Sequence, residues 1–286
     1  MECTANRGDR YRNPDLRPLS FDPMCLILFA YRAHPEYRLV LAANRDEFHD
    51  RPSAPAGFWS DAPNVLAGRD LRSGGSWLGI TRTGRFAAVT NYRDPRELLA
   101  PRSDAPSRGE LVSSFLRGSD SPVAYLAALA GRAGAYHGFN LLVGDRESLY
   151  WFSNRAGAAP RRLQPGIYGL SNHLLDTPWP KVVRGREALR DALAAAAPLD
   201  EEPLFRLLAD RAAAADQELP DTGVGIERER LLSAPFIASA EYGTRASTVL
   251  LVRSDGGAHL VERTFTPGSA RWSEVRHALP PPVEAA

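Results

Sequence analysis

Cys25 stands first in the continuous apolar run Cys25 to Tyr31 and directly follows Met24. If translation starts at Met24, removal of that methionine leaves Cys25 as the N-terminal residue, with a thiol and a free α-amine on one carbon. An α-amine titrates near ~8, against about 10.4 for lysine, so it can act as a base near neutral pH. Nucleophile and base then come from a single residue. The plainer alternative is a small core residue, since free cysteine is among the most buried residue types. A second candidate group is Asn44-Arg45-Asp46-Glu47, which follows the apolar run Arg38 to Ala43. Alternation along a strand puts Asn44 and Asp46 on one face and Arg45 and Glu47 on the other. An aspartate near Cys25 could orient its amine, and a guanidinium would lower the thiol pKa. The alternative is a solvated strand end with a local ion pair. Asn44 is expected to share a cleft with Asp46. Trp77, after Gly74-Gly75, is expected on the cleft wall, where glycines let the backbone approach a ligand closely.

Other motifs carry less. Asp46, Glu47, His49 and Asp50 match no strong metal-ligand spacing, so no metal is expected. Gly74-Gly75-Ser76-Trp77-Leu78 lacks the last glycine of a nucleophile elbow and the Lys-Ser/Thr of a phosphate loop. No C-x-x-C-H attachment motif for haem is present.

The elements that must position these residues are read from periodicity and turn signals. Cys25–Tyr31 and Arg38–Ala43 form a hairpin of buried strands around His34-Pro35-Glu36. A second hairpin spans 77–81 and 86–91. Ser107 with Glu110 has the capping-box spacing of a helix start. Ser121-Pro122 opens another helix, to about Gly131. A hairpin follows at 139–143 and 149–152, then a strand at 166–172. Helices are predicted over 179–197 and 204–215, and strands over 236–240, 246–252 and 259–265. Hairpins in place of βαβ crossovers give an α+β layer arrangement of antiparallel sheets carrying helices.

Of 286 residues, 44% are hydrophobic, and 35 basic residues nearly balance 34 acidic ones. Lys181 is the only lysine, a bias that reads as the codon usage of a GC-rich genome. No basic arm or stripe exists, which argues against nucleic-acid binding. The two cysteines, Cys3 and Cys25, cannot build a disulfide scaffold, and a reducing cytoplasm fits best. No apolar run reaches the length of a membrane span. Residues 1–23 lack periodicity and an apolar signal core. They are expected to be a disordered extension, with the start of the functional chain at Met24. A single domain is expected over 24–276, with a frayed tail over 277–286.

Met24-Cys25 opening a hydrophobic strand, followed by Asn44-Arg45-Asp46-Glu47-Phe48, resembles the NRDE family, which includes the transport and Golgi organisation protein 2 group of eukaryotes. The likeness continues through Gly75-Ser76-Trp77-Leu78-Gly79, Thr90-Asn91-Tyr92-Arg93, Gly169-Leu170-Ser171-Asn172 and Thr244-Arg245-Ala246-Ser247-Thr248. It covers about residues 24 to 265. More distantly, the pattern is similar to choloylglycine hydrolases and penicillin acylases of the cysteine N-terminal-nucleophile class. In those enzymes the arginine and aspartate are spaced Arg-x-x-Asp, whereas Arg45 and Asp46 are adjacent.

The resemblance implies a four-layer αββα sandwich with Cys25 as nucleophile and base. Asp46 would hold its amine, Asn91 and Asn172 would donate to a developing oxyanion, and Arg245 would stabilise the thiolate or bind an acidic group. The implied activity is hydrolysis or acyl transfer at a small linear amide or acyl substrate. The rival, also implied by the resemblance, is a non-catalytic protein that binds and traffics haem or a lipid or acyl-CoA. No cofactor is expected for the enzyme. The sequence leaves the oligomeric state open.

Overall fold

The structure is a computed structural model and describes residues 25–99, 102–195, 199–269 and 271–281. The expected N-terminal extension lies outside the described residues, as does the end of the tail. In chain order the strands are β1 (Cys25–Tyr31), β2 (Tyr37–Phe48), β3 (Ser53–Trp59), β4 (Ala62–Asp70), β5 (Leu78–Thr81) and β6 (Phe86–Asn91). Helices α1 (Pro95–Leu99), α2 (Gly109–Arg117) and α3 (Pro122–Ala130) follow. Then come β7 (Phe139–Gly144), β8 (Leu149–Ser153), β9 (Arg161–Arg162) and β10 (Gly166–Leu170). The chain ends with α4 (Pro180–Ala194), α5 (Glu201–Leu208), α6 (Ile226–Leu232), β11 (Tyr242–Arg253), β12 (Ala258–Phe265) and β13 (Trp272–Leu279).

The strands make two antiparallel sheets, ordered β10-β1-β2-β11-β12-β13 and β3-β4-β5-β6-β7-β8-β9. β1 is buried along its whole length because both of its faces are covered. Ile27, Phe29 and Tyr31 enter the core between the sheets, with Leu41, Ile80 and Leu142. Leu26, Leu28 and Ala30 enter a second core under α4 and α5. A third core lies between the other sheet and α2 and α3, around Phe115, Leu126 and Phe139. Three cores between four layers make the αββα sandwich that the hairpin pattern and the resemblance imply. Gly185 sets the closeness of α4 to β1, since a Cβ there would meet Leu28 Cδ1 at 2.5 Å. Among the described residues, no helix is long and apolar enough to cross a membrane.

Several elements differ from the sequence reading, each for a local reason. β2 does not stop at Ala43: the polar residues through Phe48 continue the strand, paired to β11. Ser107 is not a helix cap. Its carbonyl takes the Glu110 N–H at 3.0 Å, and Arg108 precedes α2 without a side-chain cap. The helix expected over 204–215 ends at Leu208, where Asp210 turns the chain by accepting from Ala212 at 2.8 Å. The strand expected over 236–240 is one isolated bridge, Ala238 to Gly243. β3, β4, α6 and β13 were not evident. β3 carries Pro55 at an edge with a register shift, and β13 is mostly exposed, so neither shows regular alternation. Of the tail expected from residue 277, His277 to Leu279 belong to β13, paired with β12.

Candidate active site

Cys25 opens β1 directly opposite Arg45 of β2. The residues after β10 run past its other side. The Cys25 backbone N–H donates to Asn172 Oδ1 at 3.3 Å, and the Ser171 hydroxyl donates to the Cys25 carbonyl at 3.0 Å. The same segment is tied to the opposite sheet: the Thr90 hydroxyl donates to the Ser171 carbonyl at 2.7 Å, and Asn172 Nδ2 donates to the Asn91 carbonyl at 3.0 Å. The first residue of the buried strand is thus fixed where the two sheets splay apart.

The splay forms a cleft of about 520 Å³, lined by Cys25, Arg45, Asp46, Asn91 and Arg245 among others. Trp77 stands on its wall, half-buried, and packs against both the inter-sheet core and the core under α2. The loop before β5 reaches the start of α2 because Gly75 has no side chain. A Cβ there would lie 2.6 Å from the Gly109 carbonyl carbon.

Five of the residues singled out in the sequence therefore border one cleft, from positions as far apart as 25 and 245, with Trp77 beside them. Asn172 lies behind that wall, fully buried, with Oδ1 on the Cys25 nitrogen and Nδ2 on Asn91. Its contacts are those of a clamp on the strand end. Asn44 is a correction. It is fully buried behind the sheet, where Nδ2 donates to the Leu208 and Pro235 carbonyls, both at 2.9 Å, and Oδ1 accepts from Ser247 at 2.6 Å. Alternation holds, with Arg45 and Glu47 facing the cleft and Asp46 reaching only its edge, and the Asn44 side chain is turned away from it.

Arg45 Nη2 lies 3.3 Å from Glu47 Oε2 and 3.8 Å from Asp70 Oδ2, while its buried Nη1 has no hydrogen-bond partner among the described residues. Arg245 Nη1 donates to the carbonyls of Phe48, His49 and Arg51 at 2.9, 3.2 and 3.2 Å. It pins the turn leaving β2 while lining the cleft. The acidic cluster disperses: Glu47 joins the arginines, His49 meets the Ser239 carbonyl, and Asp50 is exposed.

The electrostatics around the thiol are unusual. Burial pushes the Cys25 thiol up to about 12, and the Asp46 carboxylate adds to this. The Asp46 backbone N–H and Arg45 act against that rise. Together these favour the neutral thiol over the thiolate. Burial also raises Asp46, against the pull of Lys181, the Thr244 hydroxyl and Arg45. Thr244 donates to Asp46 Oδ1 at 2.6 Å, while Oδ2 has no hydrogen-bond partner among the described residues. Two further acids escaped the sequence reading. Glu262 reaches from β12 to the Ala56 N–H of β3 at 2.7 Å and lines the cleft, its charge disfavoured by burial. Asp70 holds Arg51 at 2.6 Å. A charged residue inside an apolar strand was the available signal for Glu262.

A cysteine heading the first strand of an αββα sandwich, facing a cleft between the sheets, defines a sandwich protein with a thiol-bearing inter-sheet site. The chain belongs to the transport and Golgi organisation 2 family, whose model matches residues 24–267. It is 35% identical over 269 residues to the transport and Golgi organization 2 homolog of Mus musculus, covering 87% of this chain and 96% of that one. It is 37% identical over 263 residues to the Homo sapiens homolog, at 85% and 93% coverage. Among solved structures, it is similar to a Caenorhabditis elegans orthologue of N-acylethanolamine-hydrolyzing acid amidase, with TM-score 0.42, 9% identity and coverage of 79% and 92%. It is also similar to a mutant conjugated bile acid hydrolase from Clostridium perfringens, with TM-score 0.44, 9% identity and coverage of 88% and 92%.

Proposed function

We propose that Cys25 is the nucleophile of a site that hydrolyses, or transfers the acyl group of, a small linear amide or acyl compound. The observation that carries this reading is the placement of Cys25: its thiol borders the cleft while its backbone nitrogen is held by Asn172. An amide nitrogen has one hydrogen and no basic lone pair. Freed by loss of the preceding residues, it becomes an amine with a second hydrogen, for which Asp46 Oδ2 is an unused acceptor.

In this mechanism the amine takes the thiol proton as sulfur adds to the substrate carbonyl. The tetrahedral adduct collapses, the leaving amine takes the proton from the α-ammonium, and a Cys25 thioester remains. Water attacks the thioester with the α-amine again as base, releasing a carboxylic acid and the free thiol. An external amine or alcohol in place of water gives acyl transfer. Asn91 and Arg45, both on the cleft wall, are the candidates to donate to the oxyanion. One such donor is worth ~10²–10³ in rate. Arg245 positions the β2 turn and presents its guanidinium to the acidic part of a substrate.

Incubation with an activated acyl donor should add one acyl mass, mapped to the peptide containing Cys25, and Cys25→Ala should abolish it. Labelling that persists in Cys25→Ala would overturn the reading. A protein that binds acyl compounds or haem with unchanged affinity in Cys25→Ala, and never acylates, would instead be a carrier.

A further inference from the structure

Lys181 is the single lysine of the chain. It is the second residue of α4, and Gly185 brings that helix hard against β1. The side chain is 1% exposed, and Nζ has no hydrogen-bond partner among the described residues. The place is unfavourable twice over. An unpaired ammonium loses its hydration on burial, and a cation in the first turn of a helix opposes the helix dipole. The charged and titratable groups facing it are Asp46 on β2, Cys25 on β1, Arg93 after β6 and Glu229 on α6. Glu229 is occupied by Arg93, 2.9 Å away, whereas Asp46 Oδ2 has no hydrogen-bond partner. A buried cation and a buried carboxylate oxygen, both without a hydrogen-bond partner among the described residues, thus feel each other's charge on the α4 side of the sheet that carries Cys25.

We propose that Lys181 is a positioning residue of the Cys25 site, its buried ammonium supplying the counter-charge that favours the Asp46 carboxylate over the neutral acid, so that the carboxylate can hold the Cys25 nitrogen. This rests on the reading of Cys25 as nucleophile. Burial lowers Lys181 and raises Asp46, and each pulls the other back toward its charged form. Burial already raises Asp46 to about 7; without the ammonium it would rise further, leaving less carboxylate at neutral pH to hold an α-ammonium or amine. The arginine-rich composition makes the point sharper: the one place where lysine is used is a buried site that a planar guanidinium would fill differently.

Because the chain has one lysine, growth on [ε-¹³C]lysine gives the full-length protein a single side-chain resonance, and its titration reads Lys181 alone. The midpoint is expected below the ordinary value of ~10.4. In Asp46→Asn it should fall further, by at least about one pH unit, the scale of one close opposite charge. An ordinary midpoint, or one unmoved by Asp46→Asn, overturns the proposal. If Asp46→Asn fails to fold, Lys181→Met added to it should restore folding by removing the stranded cation. Absence of rescue overturns the proposal equally. The functional readout is the pH profile of Cys25 acylation. Lys181→Met should move its acid limb to higher pH by one unit or more, on the same scale, with the plateau kept. A lowered plateau with an unmoved limb would make Lys181 merely structural. Failure of the wild type to acylate, with the lysine midpoint still coupled to Asp46, would sink the nucleophile reading and leave the ion coupling in place.

Discussion

At the scale of single residues, the side chains around β2 divide between chemistry and construction. Asn44 satisfies two carbonyls and a hydroxyl from three different segments, so it holds α5, the loop before β11 and β11 itself to the sheet. Truncation to alanine strands those groups in a dry environment, at about 1–3 kcal/mol for each unsatisfied group. Asn44→Ala should therefore lower unfolding free energy by about 3 kcal/mol or more, measured by urea titration, while the folded variant alkylates at Cys25 as fast as wild type. A normal melt with slowed alkylation would return Asn44 to the site. Much of this was legible in the sequence. The alternation of Asn44 and Asp46 against Arg45 and Glu47 was correct, because a strand leaves no other choice. Which face meets the cleft was not legible, since that depends on the layer packed behind β2. Lys181 was visible as the sole lysine, but composition alone gives such a residue no partner.

Between elements, Glu262 joins the two sheets by accepting from Ala56 of β3 and, at 3.0 Å, from the hydroxyl of Thr248 on β11. Burial raises its pKa. A carboxyl that binds its proton more tightly in the folded state stabilises below its unfolded value, ~4.3. That contribution is lost as pH rises through the raised folded value. Glu262→Gln keeps an acceptor for Ala56 and cannot ionise. The variant should gain stability relative to wild type as pH rises from about 4 toward 8, seen in urea midpoints across that range. A difference that does not change with pH would contradict the burial argument. The hairpins of β1 with β2, β5 with β6 and β7 with β8 could be read from apolar runs and turn residues. Strand β13 could not, because as an exposed edge it carries polar residues on both faces.

Across the whole molecule, Arg93 connects the end of β6 in one sheet to α6 on the far side of the other. Its Nη1 lies 2.9 Å from Glu229 and 2.6 Å from the Thr222 hydroxyl, with Arg93 5% and Glu229 4% exposed. Removing one partner of a buried pair leaves the other charge uncompensated, at about 3–5 kcal/mol. Arg93→Met should show a loss of that size in denaturant unfolding, and Arg93→Met with Glu229→Leu should recover part of it. Equal losses in the single and double variants would show that the pair is not coupled. Pairings of this kind, 136 positions apart, leave no local sequence pattern, whereas the layering of antiparallel sheets with helices did, through the order of its hairpins.

If Cys25 acts with its own α-amine as base, its reactivity depends on where the chain starts. One protein begins at Met24, so that methionine removal exposes Cys25, and the other begins at Met1 and stays uncut. Both are mixed with the same acyl donor and read by intact mass and peptide mapping at Cys25. A thioester is expected on the first protein alone. Equal thioester formation on the uncut Met1 protein would contradict it.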